Sequence, residues 1–246
     1  GIYDHVGGGF HRYSTDERWH VPHFEKMLYD QALLAQSYLE AYQATRQERH
    51  ARAARGIFEY VLAHLTDPEG GFYSAEDADS AADPARPKEK SEGAYYVWTE
   101  KEIISVLGEE RARLFNRRFG VQSDGNAVHD PVGELRGKNV LYVAAERAAL
   151  SKEFGISEAE AGKNLKECLR KMAEARAVRL KPHLDDKVMA DWNGLMVSAL
   201  AYGSRVLREP RYGKAAKAAA DFVLRKMKRR DGRLMHRYAD GHVAVP

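Results

Sequence analysis

Between Gly7 and Leu34 the sequence GGGFHRYSTDERWHVPHFEKMLYDQALL gathers three histidines, two arginines, four carboxylates and a tryptophan beside three glycines. A turn that merely joined two helices needs Gly, Asn or Ser and none of these ionisable groups, so the stretch reads as a site first and a connector second. With Pro22 at a first helical position, His23, Lys26 and Asp30 fall at i, i+3 and i+7, one stripe where a base, a cation and a carboxylate converge. The glycines let the backbone turn tightly and deliver His11 and Arg12 beside that stripe. His11 and His23 then suit proton transfer at a carbon next to a carbonyl, Arg12 and Lys26 suit an anionic or carbonyl oxygen, and Asp30 orients a histidine or fixes hydroxyls. The plainer arrangement of the same residues is an intrahelical Lys26–Asp30 pair with His23 capping the helix.

A second constellation lies in HLDDKVMADWNG, His183 to Gly194. There Asp186 is placed to cap a helix, with Lys187, Asp191 and Asn193 inside the first turns of an otherwise apolar run. Polar groups on a buried helix need partners, which they find in one another or in a ligand. Glycoside hydrolysis needs two carboxylates about 5–10 Å apart, for which Asp30, Asp77, Asp186 and Asp191 are candidates. Glu76 and Asp77 in EGGFYSAEDAD, and His236 and Arg237 in DGRLMHRYADG, add polar contacts; Trp19, Trp98 and Trp192 with Tyr13 and Tyr95 supply flat faces for sugar rings or packing for a core. His20 and His23 stand three apart, but Pro22 interrupts any helix between them and no HExxH follows, so no metal is expected. No cofactor is expected either, because the GGG at Gly7 lacks both a preceding strand and the G-x-G-x-x-G spacing.

These residues need a scaffold, and the scaffold reads as helices. One runs from Pro22 to about Ala44 and a second carries Ile57, Phe58, Val61, Leu62 and Leu65 on its buried stripe before TDPEGG ends it, giving an antiparallel hairpin. Capping-box spacings at Thr99/Glu102 and Ser157/Glu160 start helices near 100–118 and 157–176. The run VMADWNGLMVSALAYGSRVL from Val188 is apolar on most faces, whereas Tyr212 to Met227 carries an outer lysine-rich face, so an inner helix pairs with an outer one. Short extended pieces are expected at GFYSAED, GAYYVWT and NVLYVAA, and SAADPARPKEKSE reads as a charged loop without a packing face.

Glycine-led segments GGGFHRYSTD, EGGFYSAEDAD and DGRLMHRYADG recur after helices, and the first and last share His-Arg-Tyr. Repeated helical hairpins bury little alone and must stack, with their loops gathered on one face. The 246 residues, 44% hydrophobic and 30% charged, suffice for a substantial core. A net charge of +3 makes no case for nucleic acid, and no apolar run approaches the roughly 20 residues that span a bilayer. The lone Cys168 allows no disulfide framework, and a cytoplasmic setting fits.

The segments GIYDHVGGGFHRYSTDERWHVPHFEKMLYDQALL, GGFYSAEDADS, EGAYYVWT and KPHLDDKVMADWNGLMVSAL resemble the motifs of the thioredoxin-domain-containing YyaL family, the spermatogenesis-associated protein 20-like proteins, across most of the chain. The resemblance implies an all-α fold. Residues 1–246 would form a single partial (α/α)6 toroid domain with short β-hairpin insertions, akin to six-hairpin glycosidases and N-acylglucosamine 2-epimerases. It further implies a thioredoxin-like domain and additional toroid helices outside this chain. Three functions follow as expectations. The first is sugar epimerisation or isomerisation by histidine acid–base chemistry, placed ahead on histidine supply. The others are glycoside hydrolysis by paired carboxylates and a non-catalytic ligand-binding or scaffolding role beside the thioredoxin-like domain. In each the ligand is a small carbohydrate.

Overall fold

The computed structural model describes residues 1–83, 85–127, 130 and 133–244. Its first strands are β1 (Tyr13–Ser14), β2 (Pro22–His23) and β3 (Lys26–Met27), followed by helices α1 (Leu28–Thr45) and α2 (Glu48–His64). Strands β4 (Ala75–Glu76), β5 (Asp79–Ala81) and β6 (Lys90–Glu92) precede α3 (Glu100–Leu107), α4 (Glu109–Phe119), α5 (Arg147–Phe154) and α6 (Glu158–Ala177). Then come β7 (Leu184–Asp185), β8 (Val188–Met189), α7 (Ala190–Val206), α8 (Pro210–Phe222), a π-helical turn Val223–Met227, and strands β9 (Arg237–Ala239) and β10 (His242–Ala244). The chain is thus mainly helical among the described residues, with small sheets. It divides into two compact units, one of Gly1–Gly7, His11–Phe24 and Ala78–His183, the other of Gly8–Phe10, Glu25–Asp77 and Leu184–Pro246.

In the first unit, α3 to α6 close over a core of Trp98, Ile103, Phe115, Phe119, Leu150, Cys168 and Met172. Thr99 starts α3 with a full capping box to Glu102, and Ser157 caps α6 by accepting from the Glu160 amide, as the spacings predict. The helix expected over 100–118 is two helices, because Gly108 sits at φ 77° and ends the first run at Leu107. Across SAADPARPKEKSE, β5, which begins one residue ahead of it at Asp79, pairs antiparallel with β6, Asp79 opposite Glu92, so the loop's ends are structured where none was expected; Pro84 lies outside the described residues. GAYYVWT and NVLYVAA meet in a single bridge, Trp98 with Asn139, instead of forming strands.

In the second unit, α1 packs on α2 and on α7, and α7 on α8. The buried faces of α1 and α2 include Leu28, Ala32, Leu39, Ile57 and Phe58. Fully burying a side chain of that size contributes about 1.5–3 kcal/mol. The first helix begins at Leu28, six residues later than the periodicity suggests. The reason is long-range: β3 pairs with β4, the Leu28 amide donates to the Ser74 carbonyl at 2.8 Å, and β4 pairs in turn with β7. Of His23, Lys26 and Asp30, only Asp30 therefore lies on the helix. Similarly, α7 begins at Ala190, so Asp186 does not cap it and Lys187 precedes it, while Asp191 and Asn193 do stand in its first turn. The last helix starts at Pro210 and turns π-helical at Val223.

The glycine-led repeat has a physical basis in this unit. Gly8 and Gly9 hold φ of 78° and 74°, and a Cβ on Gly9 would stand 2.7 Å from the Tyr60 ring. The next residue, Phe10, is clamped on both backbone groups by Gln31 of α1: its amide donates to Oε1 at 2.8 Å and its carbonyl accepts from Nε2 at 2.7 Å. The second copy repeats the device. Phe72, after Gly70 and Gly71, donates to Asn193 Oδ1 at 2.8 Å and accepts from Asn193 Nδ2 at 2.9 Å. Each GGF loop is thus pinned by a fully buried amide side chain on a neighbouring helix.

Candidate functional site

In the first unit the sequence builds a two-stranded ladder that sets Tyr13 directly opposite His23. The loop between them is closed by Asp16, whose carboxylate accepts from the amides of Arg18 at 2.7 Å and Val21 at 2.5 Å, and also from His20. Burial pushes the Asp16 carboxyl up, but those bonds from Val21, Arg18 and His20 outweigh it and hold the group below its ordinary value. Trp19 rides this turn at φ 57°, a left-handed conformation unusual for a bulky residue, with 65% of its surface exposed.

Register and stacking fix His23. Its ring stacks on Tyr13 with centroids 5.0 Å apart and planes 23° apart. Its Nδ1 lies 2.7 Å from Oε1 of Glu92, the last residue of β6, and the same oxygen accepts from the Phe24 amide at 3.1 Å. A carboxylate can only accept, so it is Nδ1–H of His23 that donates to Glu92. The side chains of His23 and Glu92 are 24% and 37% exposed, which leaves the pair within reach of a small molecule. Tyr13 is 49% exposed, and the Arg12 guanidinium lies 5.9 Å from its ring centroid.

Other expected members of the first unit serve packing. His11 is 3% exposed; its Nδ1–H donates to the Phe24 carbonyl at 2.9 Å and its ring stands edge-on to Phe24 and Tyr96. Trp98 is core, 2% exposed, with the Arg179 guanidinium 3.7 Å above its ring. No flat face of Trp98 is left for a sugar.

The second unit holds its own polar cluster. Lys26 is 1% exposed, donates to the Gly8 carbonyl at 2.9 Å and lies 4.2 Å from the Tyr60 ring centroid. The Tyr60 hydroxyl donates to Glu76 at 2.5 Å, and Glu76 stands opposite Lys26 in the β3–β4 ladder. Asp30 lies in the first turn of α1, Asp77 follows β4, and Asp186 is exposed ahead of β8. Lys187 pairs with Asp185 at 2.8 Å; burial pushes the Asp185 carboxyl up, and the lysine helps hold it below its ordinary value. Asn193 is the buried clamp described above, a fold-bearing residue in place of the expected ligand contact.

At the start of α7, β9 runs beside β8, and His236 Nδ1 lies 3.9 Å from Asp191 Oδ1. Trp192 meets Tyr29 edge-to-face at 4.8 Å. The second unit thus gathers Asp191, Trp192, His236 and Arg237 at one helix end. Sequence reasoning missed Glu92 and Gln31. The only signal for Gln31 is its place as an amide on the buried stripe of α1, the counterpart of Asn193; Glu92 stands in a charged loop 69 residues from His23 and carries no local signal.

Among the described residues no group of three or more His, Cys, Asp or Glu is placed to hold a metal ion, and no helix is long and apolar enough to cross a membrane. No protein-family model matches the chain. Among solved structures, D-mannose isomerase aligns with 97% of this chain and 52% of its own at 12% identity and a TM-score of 0.29. Cellobiose 2-epimerase from Bacillus thermoamylovorans aligns with 99% and 72% at 13% identity and the same TM-score, too low for either to bear on function. Sequence similarity is far stronger. Spermatogenesis-associated protein 20 of Homo sapiens is 46% identical and that of Mus musculus 44% identical, each over 92% of this chain and 30% of its own length. Over that stretch the chain is a homologue of spermatogenesis-associated protein 20, and it spans about 30% of the length of these relatives.

Proposed function

We propose that the chain handles a small carbohydrate and that His23, oriented by Glu92, moves a proton at the carbon beside the sugar's carbonyl. The observation that carries this reading is the 2.7 Å contact between His23 Nδ1 and Glu92 Oε1 on a partly exposed surface. In the reaction, Nε2 removes the proton from the carbon next to the carbonyl, leaving an enediolate and an imidazolium whose charge Glu92 balances. Returning that proton to the former carbonyl carbon on the same face, while the proton of the neighbouring hydroxyl passes to the former carbonyl oxygen, completes an aldose–ketose isomerisation. Inversion at the first carbon requires a second acid on the opposite face. The half-exposed ring of Tyr13 and the exposed Trp19 offer flat surfaces to a sugar, and Arg12 offers a cation to the enediolate oxygen. The motif resemblance supports the carbohydrate class. It also supports assigning these residues to a partial (α/α)6 toroid working beside a thioredoxin-like domain of the full-length protein, and the lone Cys168 fits a cytoplasmic setting.

The experiment is solvent deuterium incorporation into a panel of aldoses by the full-length protein. Incorporation at the carbon beside the carbonyl is expected from the wild type and is reduced about 10²–10⁴-fold in His23→Gln. Equal incorporation in both overturns the assignment. Binding of a sugar without incorporation by the wild type favours the ligand-binding role.

A further inference from the structure

The tips of the two helical hairpins of the second unit share a feature that the proposed chemistry does not use. In Thr45–Glu48 and again in Leu207–Pro210 the chain turns from one helix to the next, and each turn puts an arginine in the left-handed region, Arg46 at φ 56° and Arg208 at φ 57°. These tips border a cleft of about 420 Å³ lined by Tyr42, Gln43, Arg46, Arg55, Arg205 and Arg208. The volume lies within the roughly 300–1,000 Å³ usual for small-molecule sites.

Charge bookkeeping in the cleft leaves a surplus. Arg55 is neutralised by Glu209 at 2.7 Å and Glu48 at 2.9 Å. Among the described residues no carboxylate pairs with Arg46, Arg205 or Arg208; the Arg205 guanidinium lies 5.6 Å from the Tyr202 ring centroid, and the Tyr202 hydroxyl donates to Gln43. The carboxy ends of α1 and α7 each contribute about half a negative charge, and the amino ends of α2 and α8 return about the same positive charge. Three guanidinium groups therefore have no carboxylate partner around one concave space, while Arg55 has two.

We infer that this cleft binds a ligand carrying two adjacent phosphate groups, held by the three arginines that have no carboxylate partner. Guanidinium forks donate to phosphate oxygens in pairs, and three forks around one cleft can engage both phosphates at once, which a single phosphate cannot satisfy. Gln43 and Tyr42 line the same space. The diphosphate is either free or esterified to a nucleoside.

The test is calorimetric titration of the full-length protein with inorganic pyrophosphate, with orthophosphate in parallel. Saturable binding of pyrophosphate at one site is expected, at least about 10-fold tighter than orthophosphate and weakened by added salt. Arg46→Gln and Arg208→Gln, both at exposed side chains, are each expected to weaken it about 10–100-fold, while Arg170→Gln, remote in sequence and engaged with Glu167 and Glu174, leaves it unchanged. Competition by a nucleoside diphosphate identifies an esterified source and its absence a free one, either result upholding the site. Three results overturn it: no saturable pyrophosphate binding, binding indifferent to Arg46 and Arg208, or an arginine-dependent preference for a single-stranded oligonucleotide over pyrophosphate.

Discussion

Two polar clusters, one in each unit, each join a basic side chain, a tyrosine ring and a glutamate, and they face opposite demands. In the second unit Lys26, Tyr60 and Glu76 are each at most 8% exposed and are held by strand pairing and a glycine-rich loop. In the first unit His23 and Glu92 are paired just as closely but keep 24% and 37% of their side-chain surface in solvent. Burying ionisable groups is costly unless every one is engaged, so the buried cluster is committed to the fold. An exposed pair contributes little to stability, and its close geometry is free to serve chemistry. Residue type and spacing alone did not separate these two cases; burial does.

The contrast can be broken most severely at the two amide clamps. Asn193→Ala and Gln31→Ala each strand a buried amide and carbonyl of the adjoining GGF loop, and each is expected to cost about 2–4 kcal/mol in denaturant unfolding. Equal losses would show the two loops to be equivalent; a loss under about 1 kcal/mol at either would deny that clamp its role. Gly9→Ala follows, at about 1–3 kcal/mol, since it adds a Cβ 2.7 Å from the Tyr60 ring at a positive φ. Thermal melts of the single variant suffice to check it.

In the first unit the expected effects on stability are smaller. The Asp16 carboxyl titrates below its unfolded value, so the stabilisation it gives the Trp19 turn is complete above about pH 4 and is lost as the pH falls further. Trp fluorescence or limited proteolysis across that range should show the turn loosening in acid, and Asp16→Asn should be loose at every pH. The smallest effect on stability is expected from Glu92→Gln, within about 1 kcal/mol, because its partner is partly solvated.

Helix existence was legible in the sequence wherever local chemistry decides it. The Thr99 capping box and the Ser157 cap both mark helices that formed. What misled was the start of α1, where Pro22 looks like a first-turn residue. Pairing of β3 with β4, about 50 residues away, competes with the helix and wins, and no local period reports such a pairing. The site followed the same rule. The type and setting of His23 single it out and point to Asp30, seven residues on, as its carboxylate partner; the partner in the structure is Glu92, from a segment that reads as a charged loop. Asn193 was singled out correctly as a polar group on an apolar helix, and its partner is the Phe72 backbone. Gln31, doing the same on α1, was passed over within an amphipathic stretch.

The measurement that bears most directly on the exposed pair is a double-mutant cycle of solvent-proton exchange into an aldose substrate, using His23→Gln, Glu92→Gln and the double variant of the full-length protein. If Glu92 acts through His23, Glu92→Gln lowers exchange without a matching fall in melting temperature, and the double variant is no slower than His23→Gln alone. Losses that multiply in the double variant, or exchange that tracks only the folded fraction, would contradict a shared catalytic role for the pair.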